Sequence, residues 1–339
     1  MIALVLAASL AFVLGFVAHR ASICAVRAVA EFQTARTGFM AASITKSMLW
    51  VMLVTVPVFL LTRPAGPYLG GWALTTTALA GGFLFGAGAG MNGACAYSTM
   101  TRLADGEGRM VATILGFALG VLAYVGLVGS GVVDRPVAVP TQFARLSGWS
   151  VAILAALALL AAWEGVRVWR QRDTGLSIVE CVVARQYRLS TAAMAIGLCG
   201  AAIYLLFGSA GYTSTYELII EGALGTRAWP STGRWLLLLS VLGGMFVSAL
   251  QRQSFRLDLR PRPDWLRNAT GGTLMGLGAA MAPGGNDVLA LYAVPLFSPH
   301  ALPTFAAMVV GIFAGLAVSR AAFGFEMKVA CRNDRYVSG

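Results

Sequence analysis

Apolar runs long enough to cross a bilayer recur near residues 1–18, 39–61, 72–92, 109–133, 149–170, 191–210, 234–252, 267–282 and 302–323. They predict nine transmembrane helices. Between them lie four segments, 21–36, 94–105, 212–224 and 284–298, too apolar for free loops and too short to cross. Such a segment persists in a bilayer only when buried in protein or lining a polar cavity, so each is expected to be a re-entrant helix. The first run lacks the basic stretch that opens a signal peptide, and it reads as a retained span.

Composition agrees with that pattern. The 339 residues are 58% hydrophobic and 12% charged, where soluble proteins carry about 25% charge. The fold class expected is an all-α polytopic membrane protein, and the 40 glycines suit transmembrane helices that pack closely. The net charge of +11 is spread over many short loops, so it forms no nucleic-acid patch. With nine crossings, nineteen Lys and Arg residues fall on one side and five on the other. This bias places the N-terminus outside and the C-terminus in the cytoplasm of a bacterial inner membrane. The chain has no P-loop motif, two histidines and no CxxC pair, so neither nucleotide nor metal nor other cofactor is expected.

An internal repeat divides the chain. Gly81–Met91 (GGFLFGAGAGM) and Gly271–Met281 (GGTLMGLGAAM) share seven of eleven positions at an offset of 190. The expected organisation is a first repeat over 1–133, a linker with one span over 134–190, a second repeat over 191–324 and a cytoplasmic tail over 325–339. An element and its copy are separated by an odd number of crossings, so the second repeat lies inverted. Transporters built this way hold their substrate near the midplane, where the copies meet. Re-entrant helix N-termini there would aim N–H groups at a small anion.

The candidate chemistry lies at the breaks. Cys24, in Ser22-Ile23-Cys24, and Cys95, in Asn92-Gly93-Ala94-Cys95, each open a re-entrant segment of the first repeat. A thiol there is polarised by helix N–H groups, although a free cysteine also packs as a small hydrophobe. Arg27 follows Cys24 and would attract an anion. In the second repeat Cys95 is replaced by Gly285, within Gly284-Gly285-Asn286-Asp287, whose glycines leave backbone amides free for a ligand. Asp287 reads either as a helix cap or as a gating, proton-linked carboxyl, and Lys46 either as a functional intramembrane charge or as a snorkelling one. Cys199 reads as packing, and Cys181 and Cys331 carry no assigned role. Glu217 and Glu221 are expected on the polar face of an external segment, and Tyr212 in an interfacial belt.

At these residues the chain resembles the YeeE/YedE family of membrane sulfur-compound transporters. The resemblance rests on Ser22-Ile23-Cys24, on Asn92-Gly93-Ala94-Cys95 and on the glycine-rich helix before each repeat's second segment, and extends from about Gly15 to Gly315. It implies a transporter rather than an enzyme, thiosulfate as the imported anion, Cys24 and Cys95 as path thiols, and a small TusA-like sulfur-carrier protein as partner. The thiosulfate importers have a third cysteine near the position of Gly285, so another sulfur or selenium species, or the opposite direction, stays open. An intramembrane thiol redox or sulfur-transfer protein is the competing class, against which the missing CxxC pair counts.

Overall fold

The computed structural model describes residues 2–62, 70–141, 148–170, 177–260 and 263–338. Among the basic residues that orient the chain, Arg63, Arg145, Arg172 and Arg262 lie outside the described residues. The first half runs through α1 (Ile2–Ala21), α2 (Ala25–Thr34), α3 (Phe39–Thr62), β1 (Gly70–Trp72), α4 (Thr76–Asn92), α5 (Ala96–Ala104), α6 (Arg109–Gly129) and β2 (Ala138–Pro140). It continues through α7 (Gly148–Arg170), α8 (Ile178–Val183), α9 (Leu189–Phe207), α10 (Tyr212–Ala223) and α11 (Thr232–Arg252). The chain then forms α12 (Asp264–Met281), α13 (Asn286–Val288) with a π-helical turn over Leu289–Ala293, α14 (Ala301–Phe323), β3 (Val329–Arg332) and β4 (Arg335–Ser338).

Among the described residues seven helical stretches are long and apolar enough to cross a membrane: Ile2–Thr34 taken together, α3, α6, Ala152–Arg170, α9, α11 and α14. The protein is a multi-pass, all-α membrane protein. The other two expected spans are α4 and α12, which form the glycine-rich centre and pack on each other, on α14 and on α6.

Glycine spacing explains that packing. Helices in lipid gain little from the hydrophobic effect between them, and associate where small residues let backbones approach. On α4, Gly82 and Gly86 face α14, while Gly81 and Gly88 face α12. On α12, Gly272 and Gly276 face α6, while Gly271 and Gly278 face α4. A Cβ at Gly86 would stand 2.0 Å from the Met308 carbonyl oxygen, and one at Gly276 would stand 2.0 Å from that of Phe117. The two central helices run antiparallel, with Gly81 against Met281 and Gly88 against Gly271. The outer helices cross over in the same manner, α1 against α11 and α9 against α3.

Two faces result. On one, here the basic face, the end of α1, the α5–α6 turn and the end of α11 are tied together. His19 lies 3.0 Å from both Asp105 Oδ1 and Ser248 Oγ, and the fully buried Arg20 donates to Ser248, Gln251, Val183 and Ala184. The opposite face carries the antiparallel β1–β2 ribbon, and there the His300 N–H donates to Trp72 O at 3.2 Å. After α14 the chain returns over the basic face as the β3–β4 hairpin.

Candidate functional site

α1 ends where Ser22 adopts a left-handed conformation (φ 55°), and α2 restarts after Cys24. α4 ends at Gly93 (φ 70°), a position that suits glycine, and α5 restarts after Cys95. Asn92 sets that second break. Its amide donates to Ala94 O at 3.0 Å and to Thr99 Oγ1 at 3.1 Å, and its oxygen accepts from Thr113 at 2.8 Å. The two restarts converge. The Cys24 thiol donates to Cys95 Sγ at 3.1 Å, and the Cys95 N–H points at Cys24 Sγ at 3.5 Å. Both are free thiols, buried in an apolar cluster that includes Phe85, Phe117, Met275 and Met308.

The break at Gly285 builds the same joint from different atoms. The Gly285 N–H donates to Thr213 Oγ1 at 3.2 Å, so a hydroxyl accepts here where Cys24 Sγ accepts at the Cys95 break. Asp287 completes it: Thr213 Oγ1 donates to its Oδ1 at 2.5 Å and the Thr213 N–H to its Oδ2 at 3.2 Å. Asp287 thus takes an N–H of the first turn of α10. Gly284, at φ 130°, makes the turn that puts Gly285 in place.

The two joints face each other. Cys24, Tyr97, Asn286 and Asp287 line one cavity of about 60 Å³. Tyr97, Tyr212, Asp287 and Tyr292 line a second of about 30 Å³, and the Tyr97 and Tyr212 rings meet edge to face at 5.8 Å. A larger cavity of about 260 Å³ opens on the face opposite the basic one, bounded by Arg135, Arg227, Arg234, Glu217 and Glu221 with Pro283 and Val288 on its floor. An ionised Asp287 would bear directly on an anion in either small cavity. A unit negative charge about 4 Å from an ionised carboxylate is opposed by about 4 kcal/mol at an effective dielectric constant near 20.

The remaining residues singled out in the sequence do other things. Arg27 donates to Ser22 O at 3.0 Å and stacks over Tyr336 at 4.8 Å, fastening the α1–α2 break to the C-terminal hairpin. Lys46 lies apart from the thiols, 2.6 Å from Glu164 Oε1 and 2.7 Å from Ser190 Oγ, where it joins α3 to α7 and α9. Two expectations are corrected. Glu217 and Glu221 are only 9% and 5% exposed, and Tyr212 is buried in the core, because α10 inserts between α6, α11 and α12 instead of lying on an outer surface. Thr213, Tyr97 and Tyr292 were not anticipated. The register of Thr213 beside Ser214, which is the offset partner of Cys24, is the signal that could have pointed to it.

No metal-ligating cluster of His, Cys, Asp and Glu occurs among the described residues. No curated protein matches the chain. A family model described as Sulphur transport matches residues 20–314, nearly the span that carries the resemblance, and that stretch contains both thiols, the hydroxyl–carboxylate joint and the glycine centre. The chain belongs to this family, YeeE/YedE, and is a membrane transporter of a sulfur compound.

Proposed function

We propose that the protein imports a small sulfur-containing anion, thiosulfate first among candidates, across a bacterial inner membrane. The observation that carries this reading is the approach of Cys24 and Cys95 to 3.1 Å at the start of two re-entrant helices. The repeats are inverted in this reading, with the antiparallel α4 and α12 in support, and the N-terminus lies outside. The anion enters the cavity bearing Arg135, Arg227 and Arg234, passes Gly285, Asn286 and Asp287, and reaches the thiols. Thiols are weak donors, and weak successive sites let an anion move on rather than stay bound. Asn286 Oδ1 is buried and without a hydrogen-bond partner among the described residues. Arg27 and Arg102 stand towards the basic face, where a TusA-like sulfur carrier would receive the product.

The test is uptake of radiolabelled thiosulfate into proteoliposomes. Cys24→Ala and Cys95→Ala are each expected to lower uptake by about tenfold or more at equal protein levels, the effect of losing about 1.4 kcal/mol at the limiting step. No uptake by the intact, folded protein would remove thiosulfate and move the search to other sulfur or selenium compounds. Full uptake in both variants would sink the thiol path while leaving the transporter.

The short sulfur–sulfur distance favours one second reading, a dithiol that exchanges with a sulfur substrate. That reading requires the pair to vanish from thiol labelling under mild oxidant and to return with reductant. Path thiols that only conduct would instead be shielded from labelling by substrate.

A further inference from the structure

Three buried carboxyls, Glu221, Glu217 and Asp287, line the large cavity and the small cavity that also holds the Cys24 thiol. Thr213, Glu217 and Glu221 recur every fourth residue on α10 and so form one stripe of that helix. At its inner end Thr213 holds Asp287 through two hydrogen bonds. At its outer end Glu221 pairs with Arg227 at 3.0 Å, at the wall of the large cavity. Between them Glu217 is 9% exposed, lines that cavity, and has its Oε1 without a hydrogen-bond partner among the described residues. No Lys or Arg among the described residues forms an ion pair with Glu217 or Asp287.

The surrounding groups narrow what these carboxyls can be doing. Glu217 shares its cavity with Glu221, Tyr124, Arg135, Arg227 and Arg234. Arg227 is engaged by Glu221, and Arg234 donates to Ser209 O at 2.8 Å and to Ser214 Oγ at 3.4 Å. Around Asp287 stand Tyr97 from α5, Tyr212 from α10, Tyr292 from the π-helical turn and the Cys24 thiol. None of these brings a positive charge. Buried ionisable groups in a membrane are costly, and in transporters chains of them commonly relay protons.

We infer that Glu221, Glu217 and Asp287 form a proton route from the outer cavity to the thiol pair, and that the sulfur anion is carried together with protons. This rests on the transport reading above. A proton enters from the outer solvent at Glu221, moves to Glu217 and then to Asp287 by way of the Thr213 hydroxyl. With Asp287 neutral, the anion passes it towards Cys24 and Cys95. The proton leaves for the basic side after the anion, and the carboxylate recovers its hydrogen bonds from Thr213. Thiosulfate carries two negative charges, so two protons must traverse this route for each anion before an inside-negative potential ceases to oppose its entry.

The experiment uses the full chain in proteoliposomes, with radiolabelled thiosulfate outside and a pH-sensitive dye inside. Thiosulfate is expected to acidify the lumen, and an inward proton gradient to raise initial uptake several-fold. Glu217→Gln should abolish both effects while thiosulfate exchange at equal pH on both sides persists. Glu217→Asp should restore them in part, which separates loss of the proton route from loss of folding. Asp287→Asn should make uptake indifferent to the gradient. Thiosulfate uptake without acidification, or a wild-type gradient response in Glu217→Gln, overturns the proton route and leaves the transporter. Absence of thiosulfate uptake under every gradient overturns the transport reading for this anion and the inference with it.

Discussion

At the scale of single residues, the site is governed by which atom accepts the N–H at each helix break. At Cys95 it is a sulfur, at Gly285 the hydroxyl of Thr213, held by a carboxylate. Thr213→Val keeps the shape and removes the hydroxyl, leaving Asp287 Oδ1 without its donor and the Gly285 N–H without its acceptor. The expected loss is about 1–3 kcal/mol for each buried group left unpaired. A lowered unfolding temperature in detergent checks this, and Thr213→Ser should recover most of it. Both cysteines, the Asn92-Gly93 turn and the Gly284-Gly285 break were legible as local patterns of small and polar residues in apolar surroundings. Thr213 was not, because one threonine among three hydroxyl residues in Thr213-Ser214-Thr215 has no local mark of distinction. Only the approach of residues more than 70 positions away selects it.

At the scale of elements, the least expected feature is the C-terminal stretch, which reads as a tail and folds as a hairpin. Val329 and Cys331 are buried, Thr34 Oγ1 donates to Val329 O at 2.8 Å, and Asp334 accepts from the Ser190 N–H and hydroxyl at the start of α9. Phe325 lies beneath Gly93, where a Cβ would meet its ring at 2.9 Å, and Arg267 covers its other side at 3.8 Å. The hairpin therefore covers the basic-face ends of α2 and α5. A chain ending at Gly324 should expose the thiols, with labelling of Cys24 and Cys95 by a small maleimide from that side rising about tenfold, as local opening becomes unnecessary. Equal labelling rates would show that the hairpin does not restrict access. The strand pattern in Val329–Arg332 is too short to read as a sheet without knowing what it rests on.

At the scale of the whole molecule, the two halves are interleaved. α1 packs on α11, α9 on α3, α4 on α14 and α12 on α6, so neither half buries its own glycine faces. Orientation gives a direct test of the topology. Cys181 is exposed on α8, next to the Val183 and Ala184 carbonyls that hold Arg20 on the basic face, while the other four cysteines are buried. A membrane-impermeant maleimide should label Cys181 in inverted vesicles and leave it unlabelled in right-side-out spheroplasts. The reverse result would turn the molecule over.

The amino-acid pattern alone determined the membrane class, seven of the nine expected spans among the described residues, the four short segments, the breaks at Cys24, Cys95 and Gly285, and the family. Each of these is local: a run of apolar residues has a length, and a break shows as glycine, proline or a polar residue within one turn. The tertiary structure alone decided that Cys24 and Cys95 touch, that Thr213 and Asp287 form their counterpart, that Glu217 and Glu221 are buried, that Lys46 is held elsewhere by Glu164, and that the C-terminus folds back over the site. These are meetings between residues far apart in the chain. What sets them is how closely glycine-lined helices approach, and no local periodicity records which helix a given face will meet.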